Sequence, residues 1–260
     1  MPVSEPIPAA LVTSWGNAWL AGLAGLDDLA EALHACMAQG ARCVRAPEPQ
    51  PRAQPLLLHL GDLRRAGVAW FRLALPAPGD VADLAGPPEA RRAALAAGAA
   101  VIGGRSATRP AQGGVILVPP GPVAGEPCWR FWPADVTEWT LVNPGEAEHE
   151  LLACLRAVAD DLMRLDVARD ANGALAALAT GAARSPARVP PGLPDRSVEL
   201  LDRCDRVSAI LAAAGQDEGA SVSRSEFQGR STALSRLATA TRRARAQAWS
   251  AGALALAAAS

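Results

Sequence analysis

Residues 55–80, PLLLHLGDLRRAGVAWFRLALPAPGD, constrain the fold most, because a helical period gives way there to a strand pattern across a single glycine. Leu56–Arg65 spaces its apolar residues as an amphipathic helix does, and residues 68–75 form an apolar and aromatic run of strand type. Gly67 separates the two, and Pro76, Pro78 and Gly79 take the chain out of the sheet. A helix feeding a buried strand is half of a layered arrangement. It needs neighbouring strands and a covering helix to bury both of its faces.

The flanking segments supply these. Residues 14–39 read as helical, interrupted at Gly22 and Gly25, with Asp27, Asp28 and Glu31 marking a fresh helix start. Residues 41–46 read as a strand, and the proline-rich stretch 47–55 as a loop with neither period. Pro87 and Pro88 suit the first turn of a helix that runs to Ala97 and stops at Gly98. Further strands are expected over residues 99–102, 115–118 and 128–132. Residues 1–140 therefore read as an α+β fold, or a small α/β layer, with a mixed sheet of four or five strands.

The character changes at Asn143, Pro144 and Gly145. Leu151, Leu155, Val158, Leu162 and Leu165 make an apolar seam on a long helix, and residues 174–179 read as a short one. Residues 181–194 have the composition of a linker. Leu200, Cys204, Val207 and Leu211 form a second seam over residues 195–214. Ser223 with Glu226 reads as a capping box opening a last helix, with Leu234, Leu237 and Ala244 on its buried side. Residues 143–260 thus read as all-helical, either a bundle of their own or packed with the sheet as one domain.

Charge and side-chain supply narrow the chemistry. The formal net charge is -1, so no global field draws the chain to nucleic acid or an acidic membrane. All 25 basic residues are arginine, a mark of GC-rich bacterial coding, which removes any Schiff-base or P-loop lysine. The five cysteines lack zinc or redox spacing, and an odd count argues against a disulfide framework, so they are expected as small buried side chains in a reducing cytoplasm. No apolar run reaches the length of a membrane span, and the first residues lack the basic start of a secretory signal.

Four candidate surfaces remain. In an open parallel sheet the loop after the central strand is where ligands collect, which nominates Asp80 and Asp83. The glycine-rich stretch 103–114 offers amides together with Arg105, Ser106 and Arg109 to an anion, although a plain connection between strands has the same composition. Partner contacts are nominated at Trp15 and Trp19, which share one side of a helix, and at Arg242, Arg243 and Arg245 of the last helix. His34, His59 and His149 lie in no metal-binding pattern, and no serine or cysteine sits in a nucleophile motif. No cofactor and no metal centre is expected. The leading expectation is a non-enzymatic cytoplasmic interaction or regulatory protein with a protein partner. The alternatives are a small-molecule or anion-binding protein or enzyme using the 76–83 and 103–114 loops, and nucleic-acid binding by the last helix.

Overall fold

The computed structural model describes residues 8–34, 43–45, 53–81, 84, 86–105, 113–120, 128–134, 136, 143–164, 189–216 and 224–252. They form two compact units. One holds the described residues within Glu5–Leu141, Pro186–Pro194 and Trp249–Ser260, the other those within Val142–Ser185 and Asp195–Ala248.

The first unit is built on a mixed sheet of β1 (Cys43–Arg45), β2 (Ala53–Pro55), β3 (Val68–Ala74), β4 (Ala100–Arg105), β5 (Gly114–Val118) and β6 (Trp129–Ala134), in the order β2-β1-β6-β5-β4-β3. Six strands replace the expected four or five. The additional one is β2, inside the stretch taken for a loop. Three residues ending in a proline are too short to show alternation, yet they pair antiparallel with β1, Val44 opposite Gln54. Proline is tolerated there because β2 is an edge strand. Only β1 and β6 run parallel; the other pairings are antiparallel, so the class is α+β.

Helices cover both faces. Among the described residues the unit contains α1 (Pro8–Leu20), α2 (Leu26–His34), α3 (Leu56–Arg65) and α4 (Pro88–Ala97). The helical pattern read over residues 14–39 is therefore two helices, parted by a turn in which Gly22 has φ 74°. The Asp28 side chain accepts from the Gly25 N–H at 2.6 Å, closing the start of α2 as the acidic pattern predicts. Pro88 opens α4, and Gly98, left-handed at φ 69°, ends it by donating to the Leu95 carbonyl.

Alternation along the strands then sorts the core. Trp70, Ile102, Ile116, Val118, Trp132 and Ala134 join Ala90, Ala93 and Ala94 of α4 in one buried cluster. Alanine on the helix allows close approach while the tryptophans fill the remaining depth. On the opposite face a β-carbon at Gly16 of α1 would stand 3.0 Å from the Phe71 ring, and His59 of α3 meets Phe131. Glycine at 103 and 104 is a packing requirement of β4. A β-carbon at Gly103 would stand 2.9 Å from Val115 and 3.0 Å from Phe71, and one at Gly104 would overlap the Trp70 ring.

The outer edge of β3 is not left open. The buried Asn17 carboxamide accepts from the Phe71 N–H and donates to the Phe71 carbonyl, each at 2.8 Å, as a neighbouring strand would. Farther along, the Leu73 N–H donates to the Ser250 hydroxyl at 2.9 Å. A side chain from α1 and one from the far end of the chain complete the ladder that the edge strand lacks.

The second unit contains α5 (Pro144–Arg164), α6 (Asp195–Gln216) and α7 (Arg224–Ser250), whose last two residues belong with the sheet unit. Asn143 caps α5: its carbonyl side chain accepts from the Gly145 N–H at 2.9 Å. Leu151 and Val158 of α5, and Leu200, Cys204 and Val207 of α6, are buried as the seams predict, while Leu155, Leu162 and Leu211 are half-buried and Leu201, outside the seam, is buried too. The helix read over residues 174–179 and the capping Ser223 lie outside the described residues.

Candidate functional site

Of the nominated ligand groups, the two described ones, Asp80 and Arg105, lie apart. Pro78 and Gly79, the latter at φ 83°, occupy the centre of a tight turn in which Ala77 and Asp80 exchange two backbone hydrogen bonds. That turn follows β3, an antiparallel edge strand, so the parallel geometry that nominated Asp80 is absent there. Arg105 pairs with Val68, at the start of the same strand. The seven residues of β3 separate the two ends, about 20 Å of extended chain. The Arg105 side chain lies over Gly67 and Gly113, 3.4 Å from where a β-carbon at Gly113 would stand. Asp83, Ser106 and Arg109 lie outside the described residues.

The partner candidates divide. Trp15 and Trp19 are both half-buried on α1. Trp15 Nε1 is buried with no hydrogen-bond partner, whereas the Trp19 ring carries the exposed Arg64 guanidinium of α3 at 4.8 Å. In the helical unit Arg245 donates to Asp205 at 2.9 Å and to Ser208 at 3.0 Å, and Arg242 donates to Thr239 of its own helix. Arg243 is exposed. Arg236, on the same helix, pairs with Asp161 of α5 at 2.9 Å.

One ionisable group that belongs to no motif is buried inside the sheet unit. His59 lies on the apolar stripe of α3 between Leu56 and Leu60, only 4% exposed. Gln54 of β2 donates to its Nδ1 at 2.7 Å, which places the proton of the neutral ring on Nε2. Nε2 is buried without a partner, and Phe131 of β6 packs at 4.3 Å between ring centres. Burial lowers the pKa of His59, and the charge of Asp62, one turn along α3, offsets part of that shift. Gln54 also reaches Asp62 at 3.5 Å, and Arg65 pairs with Asp62. The buried stripe position was legible from spacing; Gln54 was not, since its strand was read as loop.

The same corner holds a covalent link that corrects the cysteine reading. Cys43 of β1 and Cys128, the residue before β6, form a disulfide with Cα atoms 4.7 Å apart. An odd number of cysteines excludes a fully paired framework but not one bridge. A separation of 85 residues gives no local signal of it. Cys204 is buried, as expected, and Cys154 is half-buried; neither belongs to a disulfide. Cys36 lies outside the described residues.

His59 makes stability depend on pH. Its folded-state pKa is below the ordinary value of 6.5, so between the two the unfolded chain binds a proton that the folded chain refuses. The unfolding free energy is expected to fall as pH drops through 6.5 and to level off below the folded-state value. Urea titrations of the native chain and of His59→Gln from about pH 8 to about pH 5 read this directly. The difference between the two proteins should change across that window; parallel curves would remove His59 as the cause.

Among the described residues no group of three or more histidine, cysteine or acidic side chains is placed to hold a metal ion, and no helix is long and apolar enough to cross a membrane. No solved structure matches the chain. The chain is 30% identical over 247 residues to the Uncharacterized protein Rv1486c of Mycobacterium tuberculosis H37Rv, with 79% of this chain and 82% of that protein covered. The Uncharacterized protein MT1533 of Mycobacterium tuberculosis CDC 1551 matches at the same identity and coverage. Residues 9–149 match the N-terminal domain of the Rv1486c-like protein family, and residues 145–246 match its C-terminal domain. With both domains and most of a relative's length matched, the chain belongs to the Rv1486c-like family.

Proposed function

We propose that this is a non-enzymatic cytoplasmic interaction or regulatory protein that binds a protein partner where α1 and α3 meet at the surface. The observation that carries the reading is the Trp19–Arg64 pair, a half-buried indole beneath an exposed guanidinium. Tryptophan and arginine dominate the energetics of protein interfaces because each offers a large flat contact area together with polar donors. The arginines of α7 favour a protein partner over nucleic acid, since Arg236 and Arg245 are held by Asp161 and Asp205.

The test is affinity purification of the full chain from its native host, beside Trp19→Ala and Arg64→Ala. Each substitution is expected to reduce the recovered partner about tenfold or more, the effect of losing a hot-spot side chain. Both variants must keep the native circular dichroism spectrum. Undiminished recovery by both, or a native chain that purifies as a lone monomer, overturns the reading.

A further inference from the structure

We propose that the Cys43–Cys128 disulfide is a redox clasp: thiol–disulfide exchange with a dithiol reductant releases the arm formed by β1 and β2 and uncovers His59. Besides the disulfide, short ladders and the burial of Val44 hold the arm. Each of its strands has three residues, and β2 pairs with β1 alone. β1 joins the sheet only through β6, in a parallel ladder with two matched pairs, Val44 with Trp129 and Arg45 with Arg130. Parallel pairing is the weaker kind per residue, and a two-stranded hairpin by itself is marginal in water. The disulfide fixes the arm to β6 across 85 residues of chain. Cutting it restores the entropy of that long closure to the released segment.

What the arm covers makes the release consequential. Among the described residues Gln54 of β2 is the hydrogen-bond partner of the His59 ring, at Nδ1, and β1 sits between β2 and the strand that carries Phe131. Withdrawal of β2 strips Nδ1 of its donor and admits water to a ring that is otherwise shut in.

The exchange is balanced as follows. A thiolate of the reductant attacks Cys43, the partly exposed member of the pair, and the Cys43–Cys128 bond breaks with Cys128 leaving as a thiolate that takes up a proton. The second thiol of the reductant then attacks its partner sulfur in the mixed disulfide and frees Cys43 as a thiol. Two electrons and two protons pass from the dithiol to the protein, and the reductant leaves as a disulfide. In the cytoplasmic setting proposed above, a disulfide is characteristically transient or redox-sensing, which agrees with this role.

The experiment uses the full native chain with and without dithiothreitol, followed by amide hydrogen exchange and by acylation of histidine with diethyl pyrocarbonate, both resolved by peptide. Reduction is expected to speed exchange at residues 43–45 and 53–55 and to raise His59 acylation, each about tenfold or more, while β4 and β5 keep their protection. Reoxidation should reverse both changes. Cys43→Ser combined with Cys128→Ser should reproduce the reduced state and ignore dithiothreitol; should that variant not fold, the reduction and reoxidation of the native chain still decide. Three results overturn the proposal: unchanged exchange once mass spectrometry shows the bond cut, equal acceleration across β4 and β5, which marks a general staple, or alkylation of both cysteines before any reductant is added.

Discussion

Asn17→Ala is expected to lower the unfolding free energy of the sheet unit by about 2–6 kcal/mol, since it strands two buried backbone groups that each cost about 1–3 kcal/mol when unpaired. Both are at Phe71, whose N–H and carbonyl have their outer partners in the Asn17 side chain alone. Asn17→Asp separates the two bonds: it keeps the acceptor for the N–H, loses the donor to the carbonyl and buries a charge, so its cost near neutral pH should match or exceed that of alanine. Thermal unfolding followed by circular dichroism measures the loss. A second reading comes from light scattering, because an uncovered edge strand pairs with other chains. A change within about 0.5 kcal/mol, the range of an ordinary surface substitution, would mean that the carboxamide does not hold this edge.

Gly104→Ala is expected to cost about 2–6 kcal/mol, the sum of an overpacked core position and a broken buried hydrogen bond. The new β-carbon would stand 2.5 Å from Trp70 Cε2 and closer still to Cζ2, so the indole must leave its place. Leaving breaks the 2.8 Å bond from Trp70 Nε1 to the Arg105 carbonyl and withdraws a large ring from the cluster beneath α4. A double-mutant cycle isolates the cause. In a Trp70→Ala background the alanine at 104 meets no ring and should cost far less, so the two substitutions should couple strongly. Additive effects would show that Gly104 is required for some reason other than Trp70.

These two positions also show where reading the residues in order runs out of information. Leu56–Arg65 and Pro88–Ala97 were legible to the residue, because proline, glycine and apolar spacing act within a few positions and the punctuation falls at each end. Gly103 and Gly104 carry the same letters as a flexible loop. Their meaning comes from Phe71 and Trp70 on the next strand, which no local pattern records. β2 failed for the opposite reason, being too short to show a period and flanked by prolines. Asp80 falls in the turn after β3, as its place in the chain implied, whereas Arg105, read as part of the loop 103–114, is the last residue of β4. Their separation follows from strand direction, which only the antiparallel pairing of β3 with β4 decides. Two arginines of α7, Arg236 and Arg245, find acids on two different neighbours, α5 and α6, a pairing no local spacing records.

The bond between Leu73 and Ser250 spans 177 residues, and this fixes an order of events as the chain leaves the ribosome. Asn17 and Phe71 emerge early and can meet while most of the polypeptide is still unmade. The amide at Leu73 must wait for the last turn of α7, with every helix of the other unit translated in between. Until that turn arrives the nascent sheet presents a bare donor on its rim, which is the stretch a chaperone would most usefully shield.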